Sequence, residues 1–181
     1  MKTTYQIDPA HSTAHFTVRH MMITNVRGAF SKVTGTVIYD PENLAASSVD
    51  VSIDVASIET HEPQRDAHLK SPDFLDAEKF PAITYRSKKV ESVGEGELKV
   101  TGDLTIHGTS KEIVLKVEGP TPEGKDPWGN VRIGASGAAK IKRSEFGLTW
   151  NAALETGGFL VGDDVKIELE VSLIKSQTAA A

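Results

Sequence analysis

The sequence predicts an all-β domain built on an antiparallel sheet, and three observations carry that expectation. Apolar and polar residues alternate with a period of two along several separate runs. Clusters of Gly, Pro, Asn and Asp separate those runs. Only one short stretch departs from strand-like patterning.

In chain order, Ala14, Phe16, Val18 and His20 share one parity, which predicts a first strand with His20 facing inward and His15 outward. From Arg27 to Tyr39 the pattern is less regular. Phe30 lies on one parity and Val33, Val37 and Tyr39 on the other, which predicts a bulge near Ser31–Lys32. Val49, Val51, Ile53 and Val55 alternate with Asp50, Ser52 and Asp54. The exceptional stretch, Thr60 to Leu75, predicts a short helix near 62–70 that Pro63 starts and Pro72 ends. Phe74 and Leu75 follow as an apolar foot that could dock on a barrel end.

Leu98, Val100, Gly102, Leu104 and Ile106 resume the alternation, and Ile113, Leu115 and Val117 continue it. Val131, Ile133, Ala135, Gly137, Ala139 and Ile141 form a small-residue version. Val165, Ile167, Leu169, Val171 and Leu173 are nearly ideal, with Lys166, Glu168 and Glu170 between them. Turn signals stand at Asp40–Asn43, Gly94–Gly96, His107–Gly108, Gly119–Gly124 and Gly157–Gly158. Strands with one apolar and one wet face suit an antiparallel sheet.

Periodicity leaves a sandwich and a closed barrel both open. A barrel of about eight strands can enclose one small ligand, whereas a sandwich fills its interior with its own side chains. Ala135, Gly137 and Ala139 leave room near the centre. On alternation alone, a dry core with bulky neighbours facing those small residues is the favoured reading.

The 181 residues fit one domain, expected over 1–175 with a disordered tail at 176–181. A net charge of −5 disfavours a nucleic-acid partner, which calls for a basic excess. The chain has no cysteine, so it carries no disulfide, thiolate metal site or thiol nucleophile. No stretch approaches the ~20 apolar residues of a membrane helix. No signal-peptide pattern opens the sequence, so a cytoplasmic location is expected, or a periplasmic one if a leader was removed.

Catalytic and metal-binding patterns are weak. His11, His15 and His20 lie near the first strand with His15 and His20 on opposite parities, His61 and His68 flank the short helix, and His107 sits at a turn. None makes a His-Glu-x-x-His pattern, and neither a nucleophile elbow nor a phosphate-binding glycine loop is present. Neither metal nor cofactor is expected. Arg65, Asp66 and Asp73 read best as helix capping and a loop-fixing ion pair. Arg143 shares parity with Ile133 and Ile141 at a strand end, so it points toward the barrel mouth. A buried Arg needs a partner there, either a loop carboxylate or a ligand's phosphate or carboxylate, and the internal partner is the default.

Ordered motifs add a resemblance. Asp8-Pro9-Ala10-His11-Ser12 precedes His15-Phe16-x-Val18-x-His20, then Gly28-x-Phe30 and Gly35. The centre carries Ser57-Ile58-x-Thr60, Arg65-Asp66-x-His68-Leu69-x-Ser71-x-Asp73-Phe74 and Phe80-Pro81-x-Ile83-x-Tyr85-x-Ser87. Gly102–Gly108 and Arg143-Ser144-Glu145-Phe146-Gly147 complete the series. In these motifs the chain resembles the YceI-like family of lipocalin-like, polyisoprenoid-binding barrels, from residue 5 to residue 174.

The resemblance implies an extended antiparallel lipocalin-like β-barrel with a deep apolar tunnel. It implies prenyl pyrophosphates, isoprenoid quinones or other long-chain amphiphiles as ligands, no catalytic residues, no required metal, and a possible homodimer. Many relatives carry a secretion signal, and this chain departs from that pattern.

The leading expectation is therefore a lipid carrier or store, not an enzyme. Phe16, Val18, Val51, Ile53, Leu104, Ile106, Ile133, Ile141 and Ile167 are expected to line the barrel. Phe74, Phe80, Ile83, Tyr85, Phe146 and Phe159 are candidates for the tunnel or its ends, and His20 and Arg143 for head-group contacts. The rivals are an enzyme acting on a lipophilic substrate through His20, His68 or Asp66, and a packed stress-response interaction module.

Overall fold

The alternating runs become strands in the computed structural model, which describes residues 1–177. In chain order they are β1 Thr3–Ile7, β2 Thr13–His20, β3 Thr24–Phe30, β4 Val33–Tyr39, β5 Ser48–Asp54 and β6 Ile58–Glu59. After a helix, α1 Pro63–Lys70, come β7 Ala82–Gly94, β8 Glu97–Ile106, β9 Thr109–Glu118, β10 Gly124–Lys125, β11 Val131–Lys142 and β12 Val161–Lys175. Of the disordered tail expected at 176–181, Ser176 is instead tied to β1, its amide donating to the Thr4 carbonyl at 2.8 Å, and 178–181 lie outside the described residues.

Three pairs of these elements are halves of one longer strand. β1 and β2 both pair with one edge of β12, through Tyr5↔Lys175 and then Thr13↔Glu170 to His20↔Val161. β3 pairs with β2, and β4 continues beside β1. β5 pairs with β4, and β6 continues beside β3. Counting β1/β2, β3/β4 and β5/β6 once each, with β7, β8, β9, β11 and β12, gives an antiparallel barrel of 8 strands, closed where β12 meets both β11 and β1/β2. This decides between the sandwich and the barrel.

Local chemistry makes the breaks. Asp8 accepts from the Ala10 amide at 3.1 Å and caps a 3-10 turn at Pro9–His11, between β1 and β2. Asp54 accepts from Ala56 at 3.0 Å and caps the turn Val55–Ser57, between β5 and β6. The expected bulge at Ser31–Lys32 is a strand break instead. The Lys32 carbonyl accepts from Asp54 (3.0 Å) and its amide donates to Ser57 Oγ (3.2 Å), so the parity resets between β3 and β4. Ladder irregularities stand elsewhere, at Ser87/Lys89, Ser92/Gly94 and Val161/Val165.

The helix forms as its sequence signals require. Pro63 opens it, Glu62 accepts from Arg65 at 2.6 Å, and Ser71 ends it one residue before Pro72. It roofs one end of the barrel, together with the β2–β3 hairpin and the 147–160 loop. Among the described residues no helix is long and apolar enough to cross a membrane.

The opposite end is tied by Arg132. Its Nη1 donates to Asp8 (2.7 Å) and to Ser172 Oγ (3.1 Å), and its Nε donates to Asp126 (2.7 Å). This guanidinium, seconded by His11 for Asp8, holds both carboxyls below the usual carboxylate range.

The ladders are uneven around the barrel. β11 pairs with β12 from Arg132↔Ile174 to Lys142↔Asp164, but with β9 only from Ser136↔Glu118 to Ala138↔Lys116. Beyond Ala138, β9 and β11 part. A 3-10 turn, Arg143–Phe146, fills the gap with the fully buried Phe146, and Lys111 pairs with Glu145 across it.

Candidate ligand tunnel

The inward parity of the strands encloses two chambers. The upper one, about 290 Å³, is walled by Phe16, Val18, Val51, Ile53, Leu104, Ile106, Ile141 and Ile167, as alternation predicts, by the candidates Ile83 and Tyr85, and by Ala14, Leu115, Val165 and Leu169 beside them. Helix α1 and the segment after it roof the chamber with Arg65, His68, Leu69, Phe74 and Leu75. The lower chamber, about 100 Å³, is lined by Ile7, Val37, Tyr39, Val90, Val100, Ile133, Ala135, Gly137, Val171 and Leu173. Val51, Leu115 and Leu169 line both chambers and form a waist between them. The upper chamber is roughly twice the ~150 Å³ apolar cavity that takes up benzene. The dry core favoured by alternation alone is therefore not what these strands build.

Two motif glycines position lining aromatics. A Cβ on Gly28 would lie 2.3 Å from Phe16 Cζ, so only glycine lets that ring lie against β3. A Cβ on Gly102 would meet Tyr85 Cζ at 2.8 Å and the Arg86 carbonyl at 2.5 Å. Tyr85 donates its hydroxyl to the Val100 carbonyl at 2.9 Å, which leaves its ring to the chamber, and burial pushes its phenol pKa up.

Arg143 follows directly on β11, opening the 3-10 turn inside the mouth. Opposite it the Val161/Val165 irregularity of β12 turns carbonyls inward. Its Nε donates to Gly162 O (2.8 Å), Nη1 to Leu148 O (2.7 Å) and Trp150 O (2.9 Å), and Nη2 to Val161 O (3.2 Å). The expected internal partner is thus a set of neutral carbonyls, not a carboxylate. Burial lowers the guanidinium pKa, and Asp163 opposes that shift while itself accepting from the Ser144 amide and hydroxyl, each at 2.9 Å.

His20 pairs across the sheet with Val161, so it stands beside the same carbonyls. On the other side of the mouth, the His68 ring lies 4.8 Å from Trp150 and 5.0 Å from Phe74, edge-on to both. His68 Nε2 is 2.9 Å from Asp73. Arg65 and Asp66 do not pair with each other. Both hold Thr60, Arg65 through Nε and Nη2 at 2.7 Å and Asp66 through the Thr60 amide and hydroxyl. Among the described residues no group of three or more His, Cys, Asp or Glu side chains gathers as a metal site would require.

Ile133 lines the lower chamber. Three expected tunnel residues stand elsewhere. Phe80 packs edge-on against His107 at 4.8 Å and lies over Gly108, outside both linings. Phe146 is wholly buried in the β9–β11 gap, as wall filling rather than lining. Phe159 is 61% exposed, because it sits in the loop outside the mouth. Leu148, Trp150 and Leu160 line the upper chamber from the irregular segment, where no periodicity marks a face. For the helix, a spacing of three residues between Arg65 and His68 puts both side chains on one face, a signal the sequence carries.

Comparison with known proteins agrees with this architecture. A YceI-like domain profile matches residues 5–173. A UPF0312 protein of Vibrio cholerae serotype O1 is 41% identical over 146 residues, covering 80% of this chain and 77% of the relative. The YCEI protein of Campylobacter jejuni has a TM-score of 0.72 at 36% identity, over 88% of this chain and 90% of that one. BcnA of Burkholderia cenocepacia has a TM-score of 0.78 at 26% identity, over 92% and 98%. A polyisoprenoid binding domain from Saccharophagus degradans shares the fold at a TM-score of 0.70 and 17% identity, over 96% and 99%. With its motifs in order from one end of the barrel to the other, the chain belongs to the YceI-like family.

Proposed function

We propose that the barrel binds, stores or carries a long-chain isoprenoid or similar amphiphilic lipid, its tail in the two chambers and its head at the α1 mouth. The observation that carries this reading is the apolar wall of the upper chamber, continued past Val51, Leu115 and Leu169 into the lower one. Each methylene removed from water contributes about 0.8 kcal/mol, so a tail of several prenyl units outweighs the ordering cost of binding. The polyisoprenoid binding domain that shares this fold supports the same ligand class.

Binding rather than turnover fits the polar groups of the tunnel. Tyr85 is committed to Val100, and Arg143 to four carbonyls. His68 is held edge-on between two aromatic rings, with Asp73 on its Nε2. No Ser, Thr or Tyr hydroxyl that lines the upper chamber is hydrogen-bonded to a histidine, the pairing that activates a hydroxyl nucleophile.

Organic extraction of the purified protein followed by mass spectrometry tests the reading. A co-purifying prenyl lipid, or uptake of one by extracted protein, is expected. Protein that is consistently empty and binds no prenyl lipid would overturn it. Turnover of a bound lipid that disappears in His68→Ala while binding survives would establish an enzyme instead.

A further inference from the structure

Two loops beside the mouth are joined to each other and carry an exposed apolar patch. The Met21 amide donates to the Leu160 carbonyl at 2.7 Å, and the Met22 thioether lies over Gly158. Met21, Met22, Ile23 and Phe159 are all exposed there. They are four of the eight large apolar side chains left exposed among the described residues. Apolar surface gathered in this way marks an interaction site rather than scatter.

The turn that presents the patch works against the fold. Met21 and Met22 are its central residues, closed by the Ile23 amide on the His20 carbonyl at 3.0 Å, and their φ angles are 51° and 60°. A hairpin turn with positive φ at both central positions favours Asn-Gly. Methionine at both positions combines a backbone conformation that L side chains rarely adopt with apolar surface left in water. A local rule broken with no gain in packing points to function.

The hairpin that carries the tip is basic throughout. Residues 13–30 include Arg19, Arg27, His15 and His20 but no Asp or Glu, in a chain whose net charge is −5. Arg19 is exposed beside the tip, where Nη2 donates to the Met22 carbonyl at 3.5 Å and Nη1 to Asn25 at 3.4 Å. The 147–160 loop adds a single charge, Glu155. An apolar tip with a cationic collar is complementary to an anionic lipid surface, acyl chains to the tip and phosphates to the guanidinium. The unbranched methionine side chain adapts to fluid chains.

We infer that this end of the barrel docks on an anionic phospholipid bilayer. Met21, Met22, Ile23 and Phe159 enter the interface, and Arg19 and Arg27 face the phosphates. The purpose of docking rests on the proposed lipid reading. A long prenyl chain partitions into a membrane rather than water, so a mouth held against the bilayer receives its ligand without passage through solvent. The four apolar residues lie outside both chamber linings, so docking leaves the tunnel walls untouched.

Co-flotation of the full chain with prenol-free vesicles tests docking apart from ligand uptake. Binding to phosphatidylcholine vesicles containing phosphatidylglycerol is expected to exceed binding to phosphatidylcholine alone by about fivefold, and to weaken as salt is raised. The double variant Met21→Asn, Met22→Gly should lose roughly tenfold in vesicle binding. Its thermal midpoint should stay level or rise, because the turn then has its preferred residues. Phe159→Ser should weaken vesicle binding as well. Prenol added from solvent should enter the double variant as it enters the unmodified protein, while transfer from prenol-loaded vesicles should slow. No binding to either vesicle, or a double variant that binds like the unmodified protein, would overturn docking and leave the lipid reading standing. A dimer in sedimentation that the double variant dissociates, without vesicle binding, would assign the patch to a second copy and overturn docking too. Vesicle binding by a protein that takes up no prenol from solvent would overturn the lipid reading and leave docking in place.

Discussion

Nη1 of Arg143 donates to the carbonyl of Trp150 at 2.9 Å, so the residue that follows β11 also fixes the loop whose indole walls the mouth. Replacing Arg143 with Met would strand four carbonyls at once. Leaving buried polar groups unpaired is costly, and a loss of about 3–5 kcal/mol is expected from urea denaturation. Arg143→Lys should recover only part of that, since an ammonium cannot reproduce the planar fork that reaches Leu148, Trp150, Val161 and Gly162 together.

The waist at Val51, Leu115 and Leu169 sets how much tail the barrel can hold. Val51→Phe should block passage to the lower chamber. In the unmodified protein, affinity for prenols should rise with chain length by up to ~0.8 kcal/mol per methylene until both chambers are filled. The variant should reach its plateau at a shorter chain, with short prenols bound as before. Identical length profiles would show that the two chambers are not used by one ligand.

Gly28 and Gly102 should respond differently to Ala. At Gly28 the obstruction is the end of the Phe16 ring, with the Thr60 methyl behind it, and the ring has the upper chamber to swing into. Gly28→Ala should therefore weaken lipid binding more than it weakens the fold, at a cost near 1 kcal/mol. At Gly102 the obstruction includes the Arg86 carbonyl and the Ser87 Cα, which cannot step aside. Gly102→Ala should destabilise by roughly 3 kcal/mol or more. Thermal unfolding and lipid titration of both variants check the contrast.

Arg132 predicts the acid response. Its two carboxylate partners, Asp8 and Asp126, are held below their ordinary values in the folded barrel. In the unfolded chain they titrate near pH 4. Protons then bind the unfolded state first, so the stabilisation is complete above that pH and is lost as pH falls through the lowered folded values. Arg132→Gln should lower stability at neutral pH and flatten the loss of stability below roughly pH 4. An unchanged acid slope in Arg132→Gln would assign the acid response to other carboxylates.

The parts that could be read from sequence are those with a repeating face. Alternation placed Phe16, Val51, Leu104 and Ile167 on the inward parity, and Pro63 and Pro72 bounded the helix. Closure could not be read this way, because it depends on β12 pairing with β1, β2 and β11 across the length of the chain. Trp150 and Leu160 escaped because their loop has no period, and Phe159 was overvalued because an aromatic residue there signals nothing about which way the loop turns. The partners of Arg143 also lay beyond sequence, since they are backbone carbonyls, two freed by the irregular ladder at Val161–Val165 and two from the loop at Leu148 and Trp150.

The short β9–β11 ladder has a consequence for motion. Around most of the barrel, opening a strand pair means breaking a long run of backbone hydrogen bonds, but here the run stops at Ala138↔Lys116. Local opening costs least where few such bonds must break together. The wall should therefore unzip at this seam before any other, with the Lys111–Glu145 pair as an exposed latch. Amide hydrogen exchange should be fastest among the strand residues at Thr109–Val114 and Ala139–Lys142 on the edges facing the gap, and Glu145→Lys should speed it further. A side exit of this kind would let a tail leave sideways, without drawing its head through the roof.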